Sequence, residues 1–396
     1  MNICIINLRE NNPYIGGVEK VSYLLGKDWV SKGHNVIFLS CYHSNISKPY
    51  DIVCKELFLP NKEYIISKEN FGFFTNIIVQ NKIEIIINQG SVFEECCKLC
   101  NYIKESTRVK LITTIHYSPL CKLTAIKNNF FIKSKLDRNL IDWLKDCLLC
   151  FRFHLFKKKE SLKMEVAEYN TIAKCSDAIV SLSSSYLIIF QKLINPDFHK
   201  KLYAISNPIE LVDNDVYEKK KQILYVGRLE YGMKRFDRMI NIWAKIEKMF
   251  PDWSFVVIGD GPYRGYFENI VQKKGLKNVH FEGFQNPEKY YSESSIICLS
   301  SSTEGFGMVL VEALKYKCIP IAYNSFAALS DIIVDGVNGY AIPPFKEKLF
   351  IEKLHYLMSN ENERMRLADN NAVTLHKFDI NRVTQQWLNL FNNLLN

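Results

Sequence analysis

The chain has 396 residues, a formal net charge of +9 and a hydrophobic share of 47%. That length exceeds one domain of ordinary size and predicts two, of roughly 150–200 residues each. No apolar stretch reaches the ~18 residues that a bilayer span needs. No tract has the pattern of a zinc finger, a helix-turn-helix or an RRM aromatic signature, so nucleic acid is not the expected partner.

The segment from Met1 to Arg9 lacks a basic region followed by a long apolar region and a cleavage site. It reads as a first strand, which predicts a cytoplasmic protein. Further strand-like runs lie at 36–40, 83–88, 110–115 and 178–182, after the first at 3–8. Between the first two, Val18, Val21, Leu24, Leu25 and Trp29 have helical spacing over 17–32. The rhythm returns at 223–226, 255–258, 279–281, 296–299 and 319–322, each run followed by a helix-compatible stretch. Alternation of this kind predicts parallel sheets covered by helices on both faces, hence two doubly wound α/β domains. The boundary falls near Ser206-Asn207-Pro208, giving 1–206 and 207–378, with an amphipathic terminal helix over 379–396 expected to pack back on the first domain.

One stretch, about 127–160, breaks the rhythm. It carries Phe130, Phe131, Trp143, Phe151, Phe153, Phe156 and the run Lys157-Lys158-Lys159. Two readings stand: a helical insertion in the first domain with a solvated lysine face, or a basic amphipathic surface for an anionic membrane. Of the twelve cysteines, Cys97/Cys100 and Cys147/Cys150 form two Cys-x-x-Cys pairs. They lie too far apart for a compact zinc ribbon and occur in helix-like sequence, so buried helix faces are expected and no metal.

The richest constellation is the strand at 296–299, the loop Ser300-Ser301-Ser302-Thr303-Glu304-Gly305-Phe306-Gly307, and a helix from Met308 to Lys315. A helix's first-turn N–H groups and its positive dipole end bind anions, and glycine lets the backbone approach a phosphate. Glu304 in that place is equally what a simple helix cap requires. Gly227-Arg228-Leu229 with Lys234 puts two cations at the carboxyl edge of the second sheet, where open α/β sheets bind ligands. Gly16-Gly17 repeats the glycine-to-helix turn in the first half, and His116 follows the strand at 110–115 directly. Neither Gly16-Gly17 nor Gly259-Asp260-Gly261 completes a G-x-G-x-x-G fingerprint, since Gly265 comes one position late.

Gly16-Gly17-Val18-Glu19, His116, Gly227-Arg228-Leu229 with Lys234, Gly259-Asp260-Gly261-Pro262, Glu304-Gly305-Phe306-Gly307 with Glu312, and Asp335-Gly336-Val337-Asn338-Gly339-Tyr340 occur in this order. Together they resemble the retaining GT-B glycosyltransferases of glycosyltransferase family 4, most specifically over 223–344. The chain departs from the family in Ser300, where proline is frequent, and in Arg235, where glycine is frequent. The resemblance implies two Rossmann-like domains facing across a cleft and transfer of a hexosyl or N-acetylhexosaminyl group with retention, by front-face displacement and without a metal or other cofactor. It implies that Arg228 and Lys234 neutralise the donor diphosphate, that Glu304 binds sugar hydroxyls, and that Glu312 holds the ribose. By the same token, Gly305, Phe306, Gly307, Met308 and Val309 surround the distal phosphate and Phe284 borders the base. From the first domain, Gly16 and Gly17 serve the phosphates and His116 the sugar.

The expected donor is a UDP-sugar rather than a GDP-sugar. The expected acceptor is a lipid-linked or growing cell-surface saccharide such as lipopolysaccharide, met at the inner membrane face by a peripheral enzyme. A nucleotide-sugar epimerase and a noncatalytic sugar-nucleotide-binding subunit are the alternatives.

Overall fold

The computed structural model describes residues 1–44, 50–90, 94–121, 148, 151, 158–211 and 218–396. Most of the aromatic and basic stretch at 127–160 lies outside them, as do Cys147 and Cys150. The chain divides into two compact units. One comprises Met1–Pro119, Met164–Glu210 and Lys377–Asn396; the other comprises Leu120–Lys163 and Leu211–His376.

The first unit holds strands β1 (Asn2–Arg9), β2 (Asn35–Tyr42), β3 (Lys55–Phe58), β4 (Ile85–Asn88), β5 (Lys110–Ile115), β6 (Ala178–Ser181) and β7 (Leu202–Ala204). All pair in parallel, in the order β3-β2-β1-β4-β5-β6-β7. The central strands are apolar on both faces because helices cover both: Ile3, Cys4, Ile5 and Ile6 of β1 are fully buried. Cys4, Cys96 and Cys100 sit in one hydrophobic cluster with Ile37, Phe74 and Leu111, and Cys97 and Cys100 are buried on the helix Glu94–Thr107. The last helix, Ile380–Leu395, sets Trp387 and Phe391 edge-on against Trp29 of the helix Gly17–Ser31, with ring centroids 6.1 and 5.3 Å apart. Asp379 caps that helix and bridges in parallel to Ile209.

The second unit holds β8 (Lys220–Val226), β9 (Ser254–Ile258), β10 (Val279–Gly283), β11 (Ser294–Leu299), β12 (Ile319–Tyr323) and β13 (Tyr340–Ile342). Its order is β10-β9-β8-β11-β12-β13, again all parallel. Tyr225, Phe236, Trp243, Phe255 and Phe267 fill the core on one side of this sheet. Asn338, fully buried, donates to Ile332 O and Thr374 Oγ1 and accepts from Val334 N, while a Cβ on Gly339 would stand 2.5 Å from Pro320 O. The Asp335–Tyr340 motif is thus a backbone clasp that seats β13 beside β12.

Ten strands fall where the sequence predicts them. Among the described residues, the three it misses, β3, β7 and β13, are edge strands of only 4, 3 and 3 residues. A run that short carries no readable apolar period.

Candidate active site

In each sheet the strand order reverses once, between β1 and β4 and between β8 and β11. Ligands of open α/β sheets bind outside the carboxyl ends of the strands at such a switch point, because the chain leaves to opposite faces there and opens a crevice. In the second unit the two strands that flank the reversal, β8 and β11, end in Gly227-Arg228-Leu229 and Ser300–Gly307 respectively.

These two loops are held together. Lys234 Nζ donates to both carboxylate oxygens of Glu304, at 2.8 and 2.9 Å, and Ser301 Oγ donates to Oε1 at 2.6 Å. The pair is largely enclosed, with side-chain exposures of 25% for Lys234 and 11% for Glu304. Ser302 N donates to Met233 O and Ser300 Oγ to Arg235 O, so backbone contacts fix the same approach. Gly307 lies in the left-handed region at φ 94°, where a Cβ would press on the Phe326 ring at 3.2 Å. It turns the chain into the helix Met308–Lys315, whose start has no side-chain cap. Phe306 is buried beneath the loop, whereas Gly305, Met308, Val309 and Glu312 are half-buried. The result is a helix start with a carboxylate and an ammonium group beside it.

Arg228 sits at the same edge with its side chain 67% exposed, Nε 3.9 Å from Glu230 Oε2. Its backbone is positioned by glycine. Gly259, at φ 136°, would put a Cβ 2.1 Å from Gly227 O, and Gly261 would put one 2.4 Å from Leu229 O. In return Gly227 N donates to Ile258 O and Leu229 N to Asp260 O. The Gly-Asp-Gly-Pro motif therefore serves close backbone packing that aims Arg228. Phe284, 48% exposed, lies just beyond β10.

Arg235 takes φ 49°, a left-handed conformation natural to glycine, which is the residue frequent there in the family the chain resembles. The arginine is held in place by a bidentate pair with Asp237, both contacts 2.9 Å.

In the first unit, Gly16 abuts the Glu19 carboxylate: a Cβ would stand 2.7 Å from Oε2, and Glu19 is paired with Arg9 at 2.9 Å. Gly17 has open space around it. His116 Nε2 donates to Gln89 Oε1, which leaves Nδ1 as the acceptor of the neutral ring. Gln89, at the end of β4, is 3% exposed. Burial pushes the His116 pKa down from 6.5 to about 4. The ring is expected to stay neutral above about pH 5, with an imidazole NMR shift flat from there upward; a midpoint near 6.5 would contradict this. Since the folded-state value lies below the unfolded one, the stability tied to His116 is present above about pH 6.5 and is lost as pH falls toward about 4.

Three partners escaped the sequence: Ser301, Gln89, and Tyr291, whose hydroxyl donates to Glu312 Oε2 at 2.9 Å. Gln89 carried a signal, being a polar residue at a strand's carboxyl end. Tyr291 carried none, because only the tertiary fold brings it to Glu312, and Ser301, three residues before Glu304, is one of three consecutive serines with nothing to single it out.

Residues 207–373, which contain this whole edge of the second sheet, match the family model described as Glycosyl transferases group 1. The chain carries a glycosyl transferases group 1 domain. Its relatives bear related names. An uncharacterized glycosyltransferase of Haemophilus influenzae is 25% identical over 56% of this chain and 63% of its own. The GalNAc-alpha-(1->4)-GalNAc-alpha-(1->3)-diNAcBac-PP-undecaprenol alpha-1,4-N-acetyl-D-galactosaminyltransferase of Campylobacter jejuni is 26% identical over 54% of this chain and 59% of its own. The chain thus spans about six tenths of the length of these curated relatives. Among solved structures, Anabaena HepE in complex with UDP-glucose superposes with a TM-score of 0.73 at 14% identity, covering 99% of this chain and 100% of that one. That likeness establishes the α/β GT-B fold expected from the sequence, and the group 1 domain carries the Lys234–Glu304 site within it.

Proposed function

We propose that this protein is a retaining glycosyltransferase that moves a hexosyl or N-acetylhexosaminyl group from a UDP-sugar to a lipid-linked or growing cell-surface saccharide. The observation that carries the reading is the Lys234–Glu304 pair beside the uncapped helix start, at the switch point of a group 1 domain. A departing nucleoside diphosphate gathers negative charge beside an electron-poor sugar. Preorganised positive groups stabilise that charge without reorganising at the moment of reaction. Arg228, Lys234 and the helix start supply it, so the proposed reaction needs no metal or other cofactor. Glu304 accepts from sugar hydroxyls and Glu312 from the ribose, with Phe284 beside the base and Gly305 to Val309 around the distal phosphate. The same reading assigns Gly16 and Gly17 to the phosphates and His116, as a neutral hydrogen-bonding ring, to the sugar.

UDP as the nucleotide is supported by the UDP-glucose of the HepE complex, and a lipid-linked acceptor by the undecaprenol-linked saccharide in the Campylobacter relative's name. Peripheral attachment to an anionic, cytoplasm-facing membrane belongs to the same proposal, on the strength of the lysine-rich stretch ending at Lys159.

A thermal-shift screen of UDP- and GDP-sugars followed by radiolabelled transfer tests it. A donor at ~100 times its dissociation constant is expected to stabilise the fold by ~2.7 kcal/mol. Label is expected to pass to undecaprenyl-diphosphate saccharides, faster in anionic vesicles than in neutral ones. Binding followed by release of an altered nucleotide sugar with no acceptor present would make the protein an epimerase. Binding with neither outcome would make it a noncatalytic subunit, and equal rates in both vesicles would remove the membrane from the proposal.

A further inference from the structure

Glu312 is half-buried on the helix Met308–Lys315, and a glutamate with a solvent-accessible carboxylate ordinarily samples several rotamers and must be ordered each time it binds. Here it is not left to do so. Tyr291, on the short helix Glu288–Glu293, is 1% exposed and donates its hydroxyl to Glu312 Oε2 at 2.9 Å. The tyrosine is itself fixed twice. Its ring stacks on Tyr316, centroids 6.1 Å apart and planes 16° from parallel. Lys219 Nζ then ties the two tyrosines' backbones together, donating to Tyr291 O at 2.9 Å and to Tyr316 O at 2.7 Å. Tyr316 ends the very helix that bears Glu312, so the clamp holds donor and acceptor of the Tyr291–Glu312 bond in one frame.

We propose that Tyr291 is a positioning residue for the nucleoside end of the donor, holding the Glu312 carboxylate ready for a ribose diol. The inference rests on the reading of Glu312 as the ribose contact. A carboxylate oxygen has two lone pairs, so an oxygen that accepts from Tyr291 can still accept from a ribose hydroxyl, and the bond selects one carboxylate orientation. Burial pushes the Tyr291 phenol well above its ordinary pKa, so it remains a donor throughout the working range. Preorganisation of this sort lowers the ordering cost of binding and leaves the contacts themselves unchanged. It acts only on ligands that use Glu312.

That selectivity provides the test. UDP and GDP, each with its 2′,3′-dideoxy counterpart, which offers Glu312 no ribose hydroxyl, are titrated calorimetrically into the full-length wild type, Tyr291→Phe and Glu312→Ala. The wild type is expected to prefer the ribonucleotide of its cognate base. Tyr291→Phe is expected to bind that ribonucleotide about five- to tenfold more weakly and the dideoxynucleotide unchanged. Retention of the full ribose preference in Tyr291→Phe overturns the proposal, as does an equal loss for both nucleotides, which marks a purely structural tyrosine. A ribose preference that survives Glu312→Ala, or is absent from the wild type, removes the ribose reading of Glu312 itself and the positioning role with it.

Discussion

Glu304→Ala is expected to lower sugar transfer by about 10²- to 10³-fold while the protein stays folded. Both oxygens of this carboxylate are engaged, by Lys234 Nζ at 2.8 and 2.9 Å and, on Oε1, by Ser301 Oγ at 2.6 Å. Its orientation is therefore set by the protein before any sugar arrives. Removing it takes away the hydroxyl acceptor and also unties Lys234, the cation assigned to the diphosphate. The stability change should be modest, roughly 1–2 kcal/mol, because the freed ammonium is a quarter exposed and can be hydrated. Glu304→Gln keeps the shape and an acceptor for Ser301 but loses the charge that holds Lys234, and should fall between the two. Initial transfer rates and melting curves on the same preparations check this. A Glu304→Ala variant that transfers at the wild-type rate would remove Glu304 from the mechanism.

Gly259→Ala is expected to cost the fold roughly 4 kcal/mol or more, or to prevent soluble folding altogether. The added methyl would meet Gly227 O at 2.1 Å, a backbone atom that no rotamer change can move, at a φ of 136° that L-residues rarely adopt. Relief would require the loops after β8 and β9 to separate, breaking the bonds from Gly227 N to Ile258 O and from Leu229 N to Asp260 O. Gly265→Ala is the matched control: it lies in the helix Arg264–Lys273 with nothing within 4 Å of a new Cβ, and should be neutral or slightly stabilising. Thermal denaturation of the two variants distinguishes them. A Gly259→Ala protein that melts with the wild type would show that the close backbone packing does not hold this edge of the sheet.

These two residues also mark how far the sequence could be read. The alternation of apolar runs and helical periods reveals both sheets, since a strand buried on two faces is apolar through its centre, as β1 is over Ile3–Ile6 and β11 over Ile296–Leu299. The edge strands β3, β7 and β13, of 3 or 4 residues, are too short to show such a run. Glu304, Lys234 and Arg228 were legible as residue types at strand ends, yet their bonding was not. The sequence reading assigned Lys234 to a phosphate and Glu304 to a sugar, and the fold pairs them directly. A contact between residues 70 positions apart leaves no periodic trace. Tyr291 was missed for the same reason, whereas Ser301 is a local partner of Glu304 hidden among three consecutive serines, and Gln89 stood in view as a polar residue at a strand end. Arg235, in sequence only a departure from the family, has a physical content in the structure: a left-handed residue held by Asp237.

The most direct measurement is a calorimetric titration of UDP into the wild type and Lys234→Ala at low and at moderate salt. If the switch point between β8 and β11 is the diphosphate site, the wild type binds UDP and the variant binds at least about tenfold more weakly, with a shallower salt dependence. Equal affinity in the two proteins, with matching melting temperatures, would place the nucleotide elsewhere.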